Sequence, residues 1–315
     1  PDARPRDDHH GWYHHLRESY YATANLWLKD WFKFIGEHRK AFLDQHWNLA
    51  SREVGHSLAS AIDAFRITGD LEILELAHRD INERLRKQQS PKYGFRNSKC
   101  CGQYGEAAFQ AGYLARAVIN FMEEVDTNSQ AYADAFQFLS GLMEWNLHFA
   151  NFSYYLDARK GEKGKSHGTA LTFIDPQAWY YWNTGKRAYW DQIEDSMDGG
   201  IGGGRRPFGN FKSWRGQYEA RIYRWVKSRD RADAVPPAAI KDLVLSGTGN
   251  DTILRFSAPT DAVRYHVVWG QNPIVEGPSS APDELNWWAA DALSAVATET
   301  SAGMEEIHIP VGAKY

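Results

Sequence analysis

Arg52-Glu-Val-Gly-His-Ser-Leu-Ala-Ser60, Gly102-Gln-Tyr-Gly-Glu-Ala-Ala-Phe109 and Ser166-His-Gly-Thr-Ala-Leu-Thr-Phe173 share one pattern. Each stretch has polar residues at its start, then a glycine, then small and apolar residues. A helix that is small or apolar on most sides is buried, so each stretch predicts the first turns of an inner helix. The glycines, Gly55, Gly105 and Gly168, are 50 and 63 residues apart, which indicates a repeated unit.

Each predicted inner helix ends in a short polar break, and a second helix follows. The breaks are 68–70, 126–128 and 184–186. Gly69 and Gly185 suit a left-handed helix end, and Asp70 suits the start of the next helix. The second helices are predicted over 71–88, 129–149 and 187–195, with an apolar stripe on one face. Further helices are predicted over 20–43 and 215–227.

Helical hairpins of this length, with polar residues ahead of each inner helix, resemble an (α/α) toroid. Many carbohydrate-active enzymes use that fold, including polysaccharide lyases and unsaturated-uronyl hydrolases. The resemblance covers about residues 12–228 and predicts fold better than activity. Full toroids have five to seven hairpins, whereas this sequence predicts three to four. The ring is therefore expected to be incomplete, or to be completed by further domains or chains.

The pattern changes near Ala234-Val-Pro-Pro237, where the prolines cannot continue a helix. We therefore divide the chain into a helical-hairpin domain, 1–235, and a β domain, 236–315. Strands are predicted over 240–245, 252–257, 262–269 and 305–311, with a helical insertion over 283–298. The residues Leu243, Phe256, Ala258, Pro259, Tyr265, Val267, Trp269, Pro273 and Ile274 resemble those of a fibronectin type III module. The resemblance implies a β-sandwich that serves as a spacer or packing partner.

Composition excludes some functions. The 315 residues carry a net charge of −4, which disfavours a general nucleic-acid binder. No run of about 18 apolar residues exists, so no membrane span is expected. Cys100 and Cys101 are adjacent and form no C-x-x-C motif, which disfavours both a disulfide scaffold and a zinc site. Ten of the 13 tryptophans precede residue 236, which suggests an aromatic-lined cavity in the helical part.

In a ring of hairpins, the loops that enter the inner helices meet at one end, where grooves bind ligands. His56, Tyr104 and His167 lie at the three predicted starts and are our candidate proton-transfer groups. An arginine one turn before His56 favours its neutral form, as a general base needs. The alternative for His56 is a wall residue beside a close helix contact at Gly55. The candidate substrate-binding residues at these starts and in neighbouring loops are Trp47, Asn48, Arg52, Glu106, Trp179 and Arg205.

Two segments near these starts are predicted to be loops. The first, 161–166, is rich in glycine and lysine and could form a cationic rim for an acidic substrate. The second, 199–206, is rich in glycine and ends with Arg205 and Arg206. It lacks the G-x-x-x-x-G-K-[ST] pattern of a phosphate-binding loop. Its arginines suit a carboxylate.

The preferred interpretation is a lyase that cleaves an acidic polysaccharide by β-elimination. A cation or amide (Arg52, Asn48 or Arg205) neutralises the uronate carboxylate, and His or Tyr transfers protons. The first alternative is glycoside hydrolysis by two carboxylates among Glu53, Glu106 and Asp175. The second is a non-catalytic module that binds glycan or protein in a larger assembly. No cofactor is expected, although a divalent cation is compatible with the lyase. We expect an extracellular or periplasmic location, although no signal peptide is visible.

Overall fold

The computed structural model describes residues in two parts of the chain, with gaps in each part. In the helical part these are residues 13–45, 51–90, 94–95, 105–106, 108–150, 153–157, 161–165 and 171–202. Towards the C-terminus they are residues 240–247, 253–257, 267–269, 274–275, 285–286, 291–293, 298–299 and 304–308. All structural statements below concern these residues, which are mostly helical, with a small antiparallel sheet near the C-terminus.

The helices follow one another mostly in pairs. They are α1 (His14–Thr23), α2 (Leu26–Gln45), α3 (Ser51–Thr68), α4 (Leu71–Arg79), α5 (Arg86–Gln88), α6 (Ala108–Met122), α7 (Gln130–Trp145), α8 (Ile174–Thr184) and α9 (Arg187–Gly202). A 3₁₀ turn, Leu171–Phe173, leads into α8. The pairs α3/α4, α6/α7 and α8/α9 are the three predicted hairpins.

The hairpin turns form as their residues predict. Gly69 has φ +74° and Gly185 has φ +69°, both in the left-handed region that favours glycine. The Asp70 side chain accepts a hydrogen bond from the backbone N–H of Glu72 and caps α4. The Ser129 hydroxyl caps α7 in the same way, accepting from the N–H of Tyr132. Local side-chain chemistry therefore fixes where these helices begin and end.

Three predicted helix boundaries are wrong. The helix expected over 20–43 is two helices, because Ala24 takes a left-handed φ of +51° and ends α1. The Asn25 side chain then accepts a hydrogen bond from the N–H of Trp27 at the start of α2. The glycine-rich loop expected from residue 199 is helical up to Gly202, and the segment of the second predicted start at Gly105–Glu106 is a short strand.

Two of the second helices continue into π-helical turns. The turn Asp80–Leu85 follows α4, and the turn Asn146–Ala150 follows α7. A buried ion pair between Arg84 and Asp80 lies within the first of these turns. The sequence predicted ordinary α-helix in both places, because the spacing of apolar residues does not distinguish the two forms over one turn.

The first helices of the three hairpins run parallel to one another. Gly55 of α3 lies against Leu114 of α6, and Arg66 near the end of α3 reaches Glu124 just beyond the end of α6. Between α6 and the third hairpin, Gly112 lies against Thr172, and one turn later Arg116 pairs with Asp175 of α8. The three helices therefore form one layer, and all of them begin at the same end of it.

The second helices form a layer on one side of the first. α2 packs on both α3 and α4, and α4 contacts α7. Side chains of α7 join α4 and α8: Asp134 accepts from His78, and Ser140 accepts from the Tyr180 hydroxyl. The described residues thus show two layers of helical hairpins and do not show a closed toroid. The helix predicted over 215–227 lies outside them.

Aromatic and branched side chains fill the space between these layers. The largest fully buried side chains include Phe32, Phe121, Phe138, Trp145 and Tyr189. All of these belong to one hydrophobic cluster that joins α2, α6, α7 and α9. Burial of apolar surface in this cluster favours folding of the helical part.

Short strands precede α6 and α8 in the sequence. β1 (Gln89–Ser90) and β2 (Gly94–Phe95) pair antiparallel. β3 (Gly105–Glu106), β4 (Ser153–Asp157) and β5 (Gly161–Lys165) form an antiparallel sheet in the order β3-β4-β5. The loop expected over 161–166 is therefore an edge strand. Its pairing with β4 is a tertiary contact, which the glycine-rich sequence does not predict.

The C-terminal part contains a four-stranded antiparallel sheet in the order β12 (Thr298–Glu299), β13 (Met304–His308), β7 (Ile253–Ser257) and β6 (Val244–Ser246). The remaining strands are short, and β9 (Ile274–Val275) and β10 (Leu285–Asn286) pair parallel. A fibronectin type III sandwich is therefore not shown, and the insertion expected to be helical over 283–298 contains strands. These strands are β6 (Val244–Ser246), β7 (Ile253–Ser257), β8 (Val267–Trp269), β9 (Ile274–Val275), β10 (Leu285–Asn286), β11 (Asp291–Leu293), β12 (Thr298–Glu299) and β13 (Met304–His308).

Candidate functional site

The start of α3 carries two of the candidate residues. α3 begins at Ser51, as predicted, so Arg52 and His56 lie one turn apart on it. The His56 side chain is 5% exposed, and its ring centroid lies 5.1 Å from that of Tyr113 of α6. Next to it, Gly55 meets the α6 backbone. This geometry matches the wall position that the sequence left open for His56, at the end where the first helices begin.

The start of α6 differs from the prediction. Glu106 was expected on the inner helix, but it lies in strand β3, where it is registered opposite Leu156 of β4. The helix begins two residues later, at Ala108. Glu106 is therefore held by the small sheet and not by α6. The same sheet carries Lys163 and Lys165 on its edge strand, registered opposite Tyr155 and Ser153.

The third hairpin places its candidates away from α3. Trp179 is half-buried, and its ring contacts Phe136 of α7, with centroids 6.3 Å apart. It thus packs between the first and second layers, while His56 packs within the first layer against α6. Asp175 is 1% exposed, and its carboxylate lies 3.3 Å from the Arg116 guanidinium. This ion pair gives Asp175 a structural partner.

Five of the candidate site residues lie outside the described residues: Trp47, Asn48, Tyr104, His167 and Arg205. Cys100 and Cys101 lie outside them as well. In sequence, Asn48, Tyr104 and His167 stand within four residues of Ser51, Ala108 and Leu171, the first residues of α3, α6 and the 3₁₀ turn. That these three side chains come together in one site stays a prediction.

Sequence reasoning missed a chain of ion pairs that crosses the first layer. It starts at α1, where the Arg17 guanidinium lies 2.5 Å from the Asp63 carboxylate of α3. Arg66, one turn after Asp63, bridges to Glu123 at 3.1 Å and to Glu124 at 2.6 Å. Because the partners lie 46 to 58 residues apart, no local spacing signals this chain.

The chain of ion pairs continues through α6 into α8. Glu123 also accepts from Arg116 at 3.1 Å, and Arg116 reaches Asp175 at 3.3 Å. The Arg116 Nε atom is buried without a hydrogen-bond partner among the described residues. Alternating charges thus connect the first helices of all three hairpins and α1. Buried charges need such pairing, because an isolated charge in a protein interior is strongly unfavourable.

Asp63 has a raised pKa. Burial of its carboxylate is the largest cause, and the opposing charges of Arg17 and Arg66 lower the pKa only in part. The buried surroundings of Asp63 therefore disfavour the charged form of its carboxyl group.

A second polar cluster lies between α7 and the third hairpin. The buried Glu144 carboxylate accepts a hydrogen bond from the Tyr189 hydroxyl at 2.7 Å and from the Lys186 ammonium at 3.1 Å. His148 Nε2 lies 3.1 Å from the other carboxylate oxygen. Lys186 and His148 are 40% and 49% exposed, so the cluster reaches the surface. It anchors the third hairpin to α7.

Within the described ranges, no group of three or more His, Cys, Asp and Glu side chains could hold a metal ion. The same residues include no helix long and apolar enough to cross a membrane. Comparisons with known proteins found no matching family model, no matching curated protein and no similar solved structure.

Proposed function

We propose that the protein is a polysaccharide lyase that cleaves an acidic polysaccharide by β-elimination. The observation that supports this most is the parallel arrangement of α3, α6 and α8, whose starts lie at one end of the layer. The segments that lead into these starts carry Asn48, Tyr104 and His167 in sequence. A site that gathers polar groups from several loops at one end of a rigid scaffold is the usual place for binding and catalysis.

The charge at this end suits an anionic polymer. Arg52 lies in the first turn of α3, and Lys163 and Lys165 lie on an edge strand of the small sheet, whose strand β4 contacts α6. The starts of three parallel helices add partial positive charge. In the proposed reaction, Arg52, Asn48 and Arg205 neutralise the uronate carboxylate, which makes the C5 proton easier to remove. Trp47 is the proposed stacking residue for sugar rings, whereas Trp179 packs on Phe136 between the two layers and is not assigned to the site.

His56, Tyr104 and His167 are the proposed proton-transfer groups. A general base takes the C5 proton, and a general acid gives a proton to the leaving glycosidic oxygen. Because His56 is 5% exposed and packs against Tyr113, we assign direct contact with the substrate first to Tyr104 and His167. The reaction needs no cofactor, and a divalent cation at the uronate carboxylate would serve the same purpose as Arg52. An extracellular or periplasmic location would give access to such a polymer.

The test is incubation with a panel of uronate polysaccharides, followed by ultraviolet absorbance of the unsaturated product. Loss of one proton-transfer group lowers rates by about 10²-fold or more, so His167→Ala and Tyr104→Phe should each abolish most of the absorbance increase. His15→Ala, on the exposed side of α1, is the control and should keep full activity. The lyase proposal fails if no polymer gives unsaturated product, or if His167→Ala and Tyr104→Phe are both fully active.

Two outcomes distinguish the alternatives. Reducing sugar released without absorbance indicates glycoside hydrolysis, in which Glu53 and Glu106 are the remaining carboxylates, since Asp175 is paired with Arg116. Binding of a polysaccharide without either product indicates a non-catalytic glycan-binding module.

A further inference from the structure

The first turns of α3 and α6 carry two buried polar side chains on their facing sides. The two helices meet most closely where Gly55 lies against Leu114. Ser51 and Gln110 each stand four residues before that contact, and residues four apart lie on one face of a helix. Because α3 and α6 run parallel, Ser51 and Gln110 therefore face each other one turn before the contact. We call them the Ser51–Gln110 pair.

The side-chain oxygen atoms of this pair have no hydrogen-bond partner among the described residues. Ser51 is 0% exposed and Gln110 is 6% exposed, and both Ser51 Oγ and Gln110 Oε1 are buried atoms. Buried side-chain oxygens are usually hydrogen-bonded, and an unsatisfied one is unfavourable. Apolar side chains would suit a purely structural contact better, so the two polar groups indicate a ligand that bonds to both.

The Ser51–Gln110 pair lies at the end of the first layer where the lyase site is proposed. Side chains on a helix tilt toward its N-terminus, so both groups project toward the starts of α3 and α6. Gln110 stands one turn before Tyr113, whose ring packs against His56. Gln110 is also not fully closed to solvent. The pair is therefore placed to contact a substrate held at the starts of these helices.

We propose that the Ser51–Gln110 pair binds a free hydroxyl group of the acidic polysaccharide, a role that rests on the proposed lyase function. A glutamine side-chain oxygen only accepts hydrogen bonds, whereas a serine hydroxyl donates or accepts. A sugar hydroxyl donates to Gln110 and accepts from Ser51 at the same time. An ionised carboxylate has no proton to donate, so the uronate carboxylate is left to Arg52, the next residue of α3.

This role makes the pair a determinant of specificity. O-acetylation of the polymer replaces the hydroxyl with an ester, which accepts hydrogen bonds but donates none. A site built to bond a substrate hydroxyl rejects an analogue that lacks it, because the buried groups of the site then stay unpaired. The protein should therefore bind the free polymer at least about fivefold more tightly than the O-acetylated polymer.

The experiment measures, by calorimetry, the dissociation constant of each uronate polysaccharide of the panel before and after chemical O-acetylation. The full chain carries His167→Ala, so that cleavage does not interfere. Adding Gln110→Met or Ser51→Ala should raise the dissociation constant of the free polymer by about fivefold to tenfold, as expected for one lost hydrogen bond. Gln110→Met should also reduce the preference for free over O-acetylated polymer.

Urea denaturation separates this role from a structural one. Replacing an unsatisfied buried amide with an apolar side chain of similar shape is neutral or stabilising, so Gln110→Met should keep or raise the midpoint of unfolding. Gln177→Met is the matched control, because Gln177 is 1% exposed and donates to Asn146 at 2.8 Å. This control variant should lower the midpoint and leave the dissociation constant unchanged.

Three results would overturn the hydroxyl site: affinity unchanged by both Gln110→Met and Ser51→Ala, a midpoint that falls as far in Gln110→Met as in Gln177→Met, or no binding of any polymer. The lyase proposal is judged separately. Binding that depends on Gln110, with no unsaturated product from the wild type, supports the hydroxyl site and rejects the lyase. Cleavage by the wild type, with affinity indifferent to Gln110→Met and Ser51→Ala, supports the lyase and rejects the hydroxyl site.

Discussion

Gly55 of α3 lies so close to Leu114 of α6 that a Cβ atom at position 55 would stand 2.7 Å from the Leu114 amide nitrogen. The same atom would stand 2.8 Å from the Tyr113 carbonyl carbon. These neighbours are backbone atoms of a buried helix and cannot turn away as a side chain can. We expect Gly55→Ala to lower the free energy of unfolding by about 3 kcal/mol or to prevent folding. Urea denaturation, followed by circular dichroism, measures this loss of unfolding free energy.

Gly36→Ala on α2 is the control for that prediction. A Cβ atom there would lie 3.4 Å from the end of the Ile73 side chain, an ordinary contact. Since alanine favours a helix interior over glycine by about 1 kcal/mol, Gly36→Ala should be neutral or stabilising. Equal losses of stability in the two variants would contradict the close backbone approach at Gly55.

The raised pKa of Asp63 predicts a pH dependence of stability. The folded state holds the proton of this group more tightly than the unfolded chain, whose ordinary pKa is 3.8. The stabilising contribution of Asp63 is therefore fully present below pH 3.8 and is lost as the pH rises through the raised pKa. Asp63→Asn, which cannot ionise, should remove this part of the dependence. Denaturation at several pH values, with wild type and variant compared, tests it.

The control for this experiment is Asp30→Asn, an exposed substitution on α2 that leaves Asp63 in place, so the part of the pH dependence that comes from Asp63 should persist. A wild-type stability that rises across the same pH range, relative to Asp63→Asn, would show that the opposing arginines determine the pKa of Asp63 and not its burial.

The pair Arg116 and Asp175 should be strongly coupled. Both side chains are at least nine-tenths buried, so removing one partner leaves the other charge in the interior. Arg116→Met and Asp175→Leu should each cost about 3–5 kcal/mol of unfolding free energy, and the double variant should cost clearly less than the sum. Additive losses would mean that the two residues act independently, with Arg116 stabilised mainly by Glu123.

Tyr189→Phe tests the Glu144 cluster. The variant removes the hydroxyl that donates to Glu144 and keeps the ring that packs against Tyr180. We expect a loss of about 1–2 kcal/mol, because a buried carboxylate loses one of its donors. Tyr21→Phe is the control, since Tyr21 is 56% exposed, and it should change stability by less than about 0.5 kcal/mol. Equal stability of the two variants would mean that the contacts with Lys186 and His148 are sufficient to stabilise the buried Glu144 carboxylate.

The sequence predicts the hairpins well because their boundaries depend on neighbouring residues. Gly69, Asp70 and Gly185 act through their own backbone freedom or through a hydrogen bond two residues away. The break at Ala24 was missed because an alanine rarely adopts a positive φ. Asn25, which caps α2, was the available signal there.

The candidate site could be predicted only in part, because its contacts join distant residues. The contact of His56 with Tyr113 and the pairing of Lys163 with Tyr155 in the small sheet both depend on tertiary structure. The ion pair of Arg116 with Asp175 spans 59 residues and removes Asp175 from the candidate acids, which no spacing rule indicates.

The two close glycine contacts have a kinetic consequence. At Gly55, the backbone of α3 lies against the backbone of α6. At Gly112, the backbone of α6 lies against Thr172 of the 3₁₀ turn. A shift of α6 along α3 would break the contact at Gly55, and a shift along the 3₁₀ turn would break the contact at Gly112. These segments should therefore open together as one cooperative unit, and their amide protons should exchange with solvent at a common, slow rate.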